Sequence, residues 1–122
     1  MAQVDDIDII DVTIANGQSL SPAVALGGKS LVGIVMPAAW TAAALTFQAT
    51  ADDPGTDNGA MQELQDGTGN PVTLTVNAGT FVQVDPTKWR GTRHITVRSG
   101  TVGAPVAQGA SRTLGLAIRS IF

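Results

Sequence analysis

Cysteine is absent from the 122 residues, and so is tyrosine. Without thiols there is no disulfide staple, no thiol nucleophile and no cysteine-ligated zinc. A chain of this kind leans toward folding in a reducing cytosol. A lone histidine, His94, has no second histidine to share a metal with. Only five aromatic residues occur, three Phe and two Trp, which is scarce for a base-stacking surface. No apolar run is long enough to cross a membrane as a helix: the longest, "LVGIVMPAAW", is about half the required ~20 residues and contains Pro37. The opening "MAQVDDIDIID" is acidic, unlike the basic start of a signal peptide. The expectation is a soluble protein.

What is present is β-forming. Ala, Val, Leu, Ile, Thr and Gly dominate, long helical runs are missing, and the length suits one domain. Alternation marks the strands. "ALTFQATA" (44–51) sets Leu45, Phe47, Ala49 and Ala51 against Thr46, Gln48 and Thr50. "PVTLTVN" (71–77), "RHITVRSG" (93–100) and "RTLGLAIR" (112–119) alternate in the same way, and "GTFVQVD" (79–85) completes the later set. "SLVGIVM" (30–36) is apolar on both faces, which predicts a central strand covered on each side. The predicted inner face holds Leu45, Phe47, Val72, Leu74, Val84, Ile95, Val97, Leu114, Leu116 and Ile118. Turn chemistry separates these runs at "NGQSLSP", "GG" (27–28), "DDPGTDNG", "DGTGNP", "NAG" and "SGTVGAP". "AAWTAA" and "DPTKW" each suit one helical turn, the second with Asp85 as cap and Pro86 first inside. The sum is an all-β, single-domain antiparallel sandwich.

The opening strand is different. Ile7 and Ile9 share one face, whereas Ile10, Val12 and Ile14 share the other. A bulge would absorb such a slip, and so would an arm whose halves pair with different partners. The chain therefore divides into an N-terminal acidic β arm, residues 1–15, and a sandwich, residues 16–122.

Charge is split along the chain. Residues 1–85 hold all ten carboxylates and one basic residue, Lys29; residues 86–122 hold six Lys/Arg and no acid. The split is neutralised either inside one subunit, with early and late strands side by side, or between subunits packed head to tail.

Two stretches carry a resemblance. "ALTFQATADDPG" is an apolar strand ending in an acidic turn, and "VQVDPTKWRGTRHITVRSGT" is strand, capped turn, then strand. Together with "RTLGLAIR" they resemble, over roughly residues 17–119, the jelly-roll sandwich of the galactose-binding, discoidin-like type. They are also similar to the small Ala/Gly/Thr-rich structural proteins of tailed bacteriophages. That resemblance implies an oligomeric decoration, cement or accessory component of a virion, assembled in the host cytoplasm. Discoidin-like sugar binders present aromatic and polar groups on loops at one end, and this chain is poor in both there.

Candidate chemistry is thin. A hydrolytic triad would need His94 oriented by a carboxylate, and no nucleophile-elbow GxSxG occurs. "DDPGTDNG" (52–59) has clustered acids but not the glycine and glutamate positions of a calcium loop, and Asx turns explain it equally. The acids available for glycoside hydrolysis, Asp52, Asp53, Asp57, Glu63 and Asp66, all sit in apparent loops. Lys88, Arg90, Arg93 and Arg98 form a basic stretch, but with only Trp89 interleaved it reads as a protein contact surface more than a nucleic-acid groove.

The reading is a non-enzymatic virion protein with no cofactor, no metal and no membrane contact. Its partners are the major capsid protein or another virion protein and copies of itself, as a trimer or dimer. The expected interface is the acidic arm (Asp5, Asp6, Ile7, Asp8, Ile9, Ile10, Asp11) set against Trp89, Arg90, Arg93, His94 and Arg98 of a neighbour. The rival readings are a carbohydrate-binding module using Trp40 or Trp89, and a tail or receptor-associated adhesin.

Overall fold

A computed structural model describes residues 6–54 and 59–120. Eight strands follow in order: β1 (Asp8–Ile14), β2 (Val24–Ala25), β3 (Ser30–Val35), β4 (Leu45–Thr50), β5 (Gln62–Glu63), β6 (Phe81–Gln83), β7 (His94–Ser99) and β8 (Arg112–Arg119). They form two antiparallel sheets, β1-β8-β3-β6 (sheet A) and β2-β7-β4-β5 (sheet B). First strand pairs with last, second with seventh, third with sixth, fourth with fifth. That is a long antiparallel hairpin rolled over itself, the connectivity of a jelly roll.

Alternation decides which side chains enter the space between the sheets. Leu45 and Phe47 from β4, Ile95 and Val97 from β7, Leu114, Leu116 and Ile118 from β8, and Leu31 and Ile34 from β3 are buried there. Trp89 joins them from a 3₁₀ turn, Pro86–Trp89, and its ring meets Phe47 edge-on at 5.3 Å. Asp85 caps that turn: its carboxylate accepts from the Thr87 backbone N–H at 3.1 Å, and Pro86 opens the turn as the sequence suggests.

Four expectations need correction. Residues 71–77 form no strand: Asp66 accepts from Thr68 and Asn70 in a tight turn, and the backbone pairs only at the isolated bridges Gln65–Pro71 and Leu45–Leu74 and through the Val72 N–H to the Leu64 carbonyl at 2.9 Å. Val72 and Val76 still reach the core. "AAWTAA" makes bends, not a helical turn, because the buried Gln108 amide ties Thr41 through its backbone N–H and carbonyl at 2.9 and 3.1 Å. The described part of the 1–15 segment is the edge strand of sheet A, paired with β8 of its own chain in unbroken register from Asp8–Ile118 to Ile14–Arg112. The apparent slip is two adjacent isoleucines on opposite faces, Ile9 outward and Ile10 toward the core. The irregularity lies instead in β3, where Val32 is the extra residue between Leu31 and Gly33. Finally, β3 is central but covered on one side only: Val35 is 44% exposed.

Candidate functional site

The split charge is met within the chain, by the early strands themselves and by β8. Lys29, just before β3, pairs with Asp8 at 2.6 Å, and Arg119 at the end of β8 pairs with Asp6 at 3.1 Å. Arg119, with the Ser120 N–H, holds the Asp6 carboxyl below its ordinary value of 3.8. Asp11 stands exposed on the outer side of β1. Asp5 lies outside the described residues.

The basic stretch is dispersed by the fold. Trp89 is 1% exposed, so it anchors the core and is no interface residue. Arg98 points to the outer side of sheet B, where it is buried and bonded through Nη1 to both Glu63 oxygens at 2.9 and 2.7 Å. Thr46 accepts from the same nitrogen and donates to the Gly100 carbonyl, closing a buried polar chain. Arg93, just before β7, makes an exposed 3.4 Å pair with Asp53. Arg90 and Lys88 are exposed beside it. His94 is half-buried, and its Nδ1 has no hydrogen-bond partner among the described residues, so no carboxylate orients that nitrogen. Alternation had placed His94, Thr96 and Arg98 on one strand face, and they share it. It gave no sign that Glu63, from a two-residue strand, would cover Arg98.

Concavities are shallow. One of about 400 Å³ is bounded by Glu63, Gln65, Lys88 and Thr92, and one of about 330 Å³ by Arg90, Arg93 and Gly28. Among the described residues no three His, Cys, Asp or Glu side chains converge on a point. Asp66 and Asp85 are both held below 3.8, first by side-chain hydrogen bonds from Thr68 and Thr87 respectively. Those acids are turn formers.

The largest unexplained feature is the outer face of sheet A. Strand register aligns two rows across it: Asp11–Gly115–Val35–Phe81 and Ile9–Ala117–Gly33–Gln83. Ile7 stands beyond the second row, before β1, where Arg119 lines the same groove. Exposure is 41% for Ile7, 55% for Ile9, 44% for Val35 and 56% for Phe81. The glycines are required by this packing. A methyl at Gly33 would collide with the Phe81 ring, and one at Gly115 would meet Ile9 Cγ2 at 3.2 Å and Val35 Cβ at 3.3 Å. The large side chains thus lie down over glycines and form a low, apolar surface, with a groove of about 470 Å³ among Ile7, Ile9, Phe81 and Ala117. Ile10, expected in the interface with Ile7 and Ile9, instead packs against the core.

Comparison with known proteins adds the fold alone. No family model matches the chain, and no curated protein does. One solved structure, that of the SPBc2 prophage-derived protein YomS, is similar over 97% of this chain and 99% of its own, with a TM-score of 0.52 and 14% identity.

Proposed function

We propose that this chain is a non-enzymatic structural component of a phage particle, of the accessory or decoration kind, acting through protein–protein contact. The observation that carries the reading is the low apolar outer face of sheet A. Four large apolar side chains exposed together on one sheet face mark an interaction surface, whereas scattered ones would not. The fold likeness to a prophage-derived protein agrees with the setting. Catalysis would need convergent polar groups in a pocket; here Asp66 and Asp85 hold turns, Glu63 is bonded to Arg98, and among the described residues His94 Nδ1 has no orienting partner. A sugar platform would need an exposed tryptophan face; Trp89 is in the core, and Trp40 is half-buried with its indole N–H given to the Ala43 carbonyl. Attachment to a repeated lattice would then rest on many weak contacts in parallel.

The test is quantitative mass spectrometry of purified particles made by the phage or induced prophage that carries the gene. The reading expects the chain in stoichiometric copies relative to the major capsid or tail protein. Its absence from particles, with the chain abundant in the lysate, would overturn it.

A further inference from the structure

We infer that the free edge of β1 is a strand-addition site, which takes an extended segment of a partner protein carrying a lysine or arginine opposite Asp11. The site is the backbone edge of sheet A, not its outer face. It goes beyond the reading above and does not rest on it.

Hydrogen-bond parity fixes what the edge offers. The Val32 carbonyl accepts from the Val84 N–H at 3.0 Å, and the Met36 N–H donates to the Thr80 carbonyl at 2.8 Å. Even-numbered residues of β3 therefore turn their backbone groups toward β6, and Gly33 and Val35 turn theirs toward Ala117 and Gly115 of β8. That leaves Leu114, Leu116 and Ile118 of β8 facing β1, where their partners are Val12, Ile10 and Asp8. Both ends of the ladder agree: the Ser120 N–H donates to the Asp6 carboxylate, and the Asn16 N–H donates to Ser111 Oγ. Ile9, Asp11 and Thr13 then direct N–H and C=O away from the sheet, and among the described residues nothing pairs with them. Water satisfies such a row one group at a time. An extended backbone satisfies all six groups together over about 14 Å.

The other sheet edges are unlike this one. β2 and β5 have two residues each and β6 has three, too short to template a strand, whereas β1 runs for seven without proline, glycine or bulge. Beside it a hollow of about 370 Å³ opens toward β2, among Ile10, Ala25, Leu26 and Ile118. An added strand would turn alternate side chains into that hollow, so those positions suit aliphatic residues. Asp11 sets the charge of the positions between. It is exposed and has no ion-pair partner among the described residues, and Lys29, the one base bounding the hollow, is taken by Asp8. The same carboxylate turns away a second copy. Only one antiparallel register pairs all three free residues of two β1 strands, and it sets Ile9 opposite Thr13 and Asp11 opposite Asp11. Like charges directly opposite destabilise a strand pair, whereas a lysine or arginine there stabilises it.

The probe is the amidated peptide Val-Thr-Val-Lys-Val-Thr-Val, which matches β1 in length and sets its lysine opposite Asp11. It is titrated to about 1 mM into the isotope-labelled full chain, with amide hydrogen exchange read residue by residue. Exchange should slow at Ile9, Asp11 and Thr13 and stay unchanged at Ile10 and Val12, which already bond to β8. The same peptide N-methylated at its lysine and both threonines cannot donate to β1, and should bind roughly 10-fold more weakly or worse. A peptide with glutamate for lysine should bind wild type about 3-fold more weakly or worse, and Asp11→Lys should reverse that preference. Circular dichroism checks that the variant is folded, and the N-methyl comparison needs no variant. No slowing at the three amides at the highest peptide concentration, or slowing that the N-methylated peptide matches, overturns the inference. Slowing produced by raising the protein concentration alone gives the edge to a second copy and overturns it too. Wild-type binding indifferent to lysine or glutamate overturns the basic partner.

Discussion

Removing residues 1–15 separates an edge strand from a dispensable arm. In the fold Val12 is 3% exposed and Ile14 fully buried, while Ile10 packs half-buried against the same core. At about 1.5–3 kcal/mol per fully buried side chain, two full burials and one partial amount to about 4–7 kcal/mol. Deletion also strips the seven-residue ladder from β8 and uncovers Leu114, Leu116 and Ile118 beneath it. Set against a total stability of about 5–15 kcal/mol for a domain, that loss leaves the truncated chain at or past the edge of folding. Urea titration followed by tryptophan fluorescence reads it directly, because Trp89 is packed against Phe47 and reports on the core. The expected outcome is no cooperative transition at 25 °C, or a midpoint displaced far toward zero urea. A truncated protein with the wild-type midpoint would refute the packing argument and restore the independent arm.

Three further outcomes are expected. Phe47→Ala, at a site with no exposure and an edge-on Trp89 neighbour, should lower unfolding free energy by about 3–5 kcal/mol in the same titration. Glu63→Leu should cost about 3 kcal/mol by leaving Arg98 buried and unpaired, and adding Arg98→Met should recover most of it; a single variant as stable as wild type would remove the ion pair from the account. Asp6, Asp66 and Asp85 are held below 3.8 in the folded chain, so their contribution is present above that value and is lost as pH falls through the lower folded values. Thermal melts at descending pH should therefore lose stability below about pH 4, less steeply in Asp6→Asn, and an unchanged slope in that variant would contradict the Arg119 pairing.

Much of the sandwich was legible because its long strands alternate cleanly. Phe47, Val97 and Leu116 are inward for the reason the pattern gives, and Asp85–Pro86 announces its turn by capping chemistry. The short strands β2 and β5 were not legible, since two residues carry no period. Residues 71–77 alternate without forming a ladder, which shows that period fixes the buried side but not the backbone partner. The exposed apolar face was legible in part. Ile7 and Ile9 stand outward as their spacing suggests, whereas β3, expected to be covered on both sides, leaves Val35 exposed, and Ile10 and Trp89, expected outside, pack into the core. The basic cluster misled because sequence shows neighbours along the chain, whereas Arg98 and Arg93 find Glu63 and Asp53 across the fold.

The central claim is that this protein makes its contacts through the outer face of sheet A. Hydroxyl-radical footprinting, on the dilute free chain and on the chain assembled in particles, tests it at the level of side chains. The account predicts that Ile9, Val35 and Phe81 are oxidised in the dilute chain and protected on assembly, while the half-buried Trp40 is labelled equally in both. Protection centred on residues 88–93, with Val35 and Phe81 labelled alike in the two states, would contradict it.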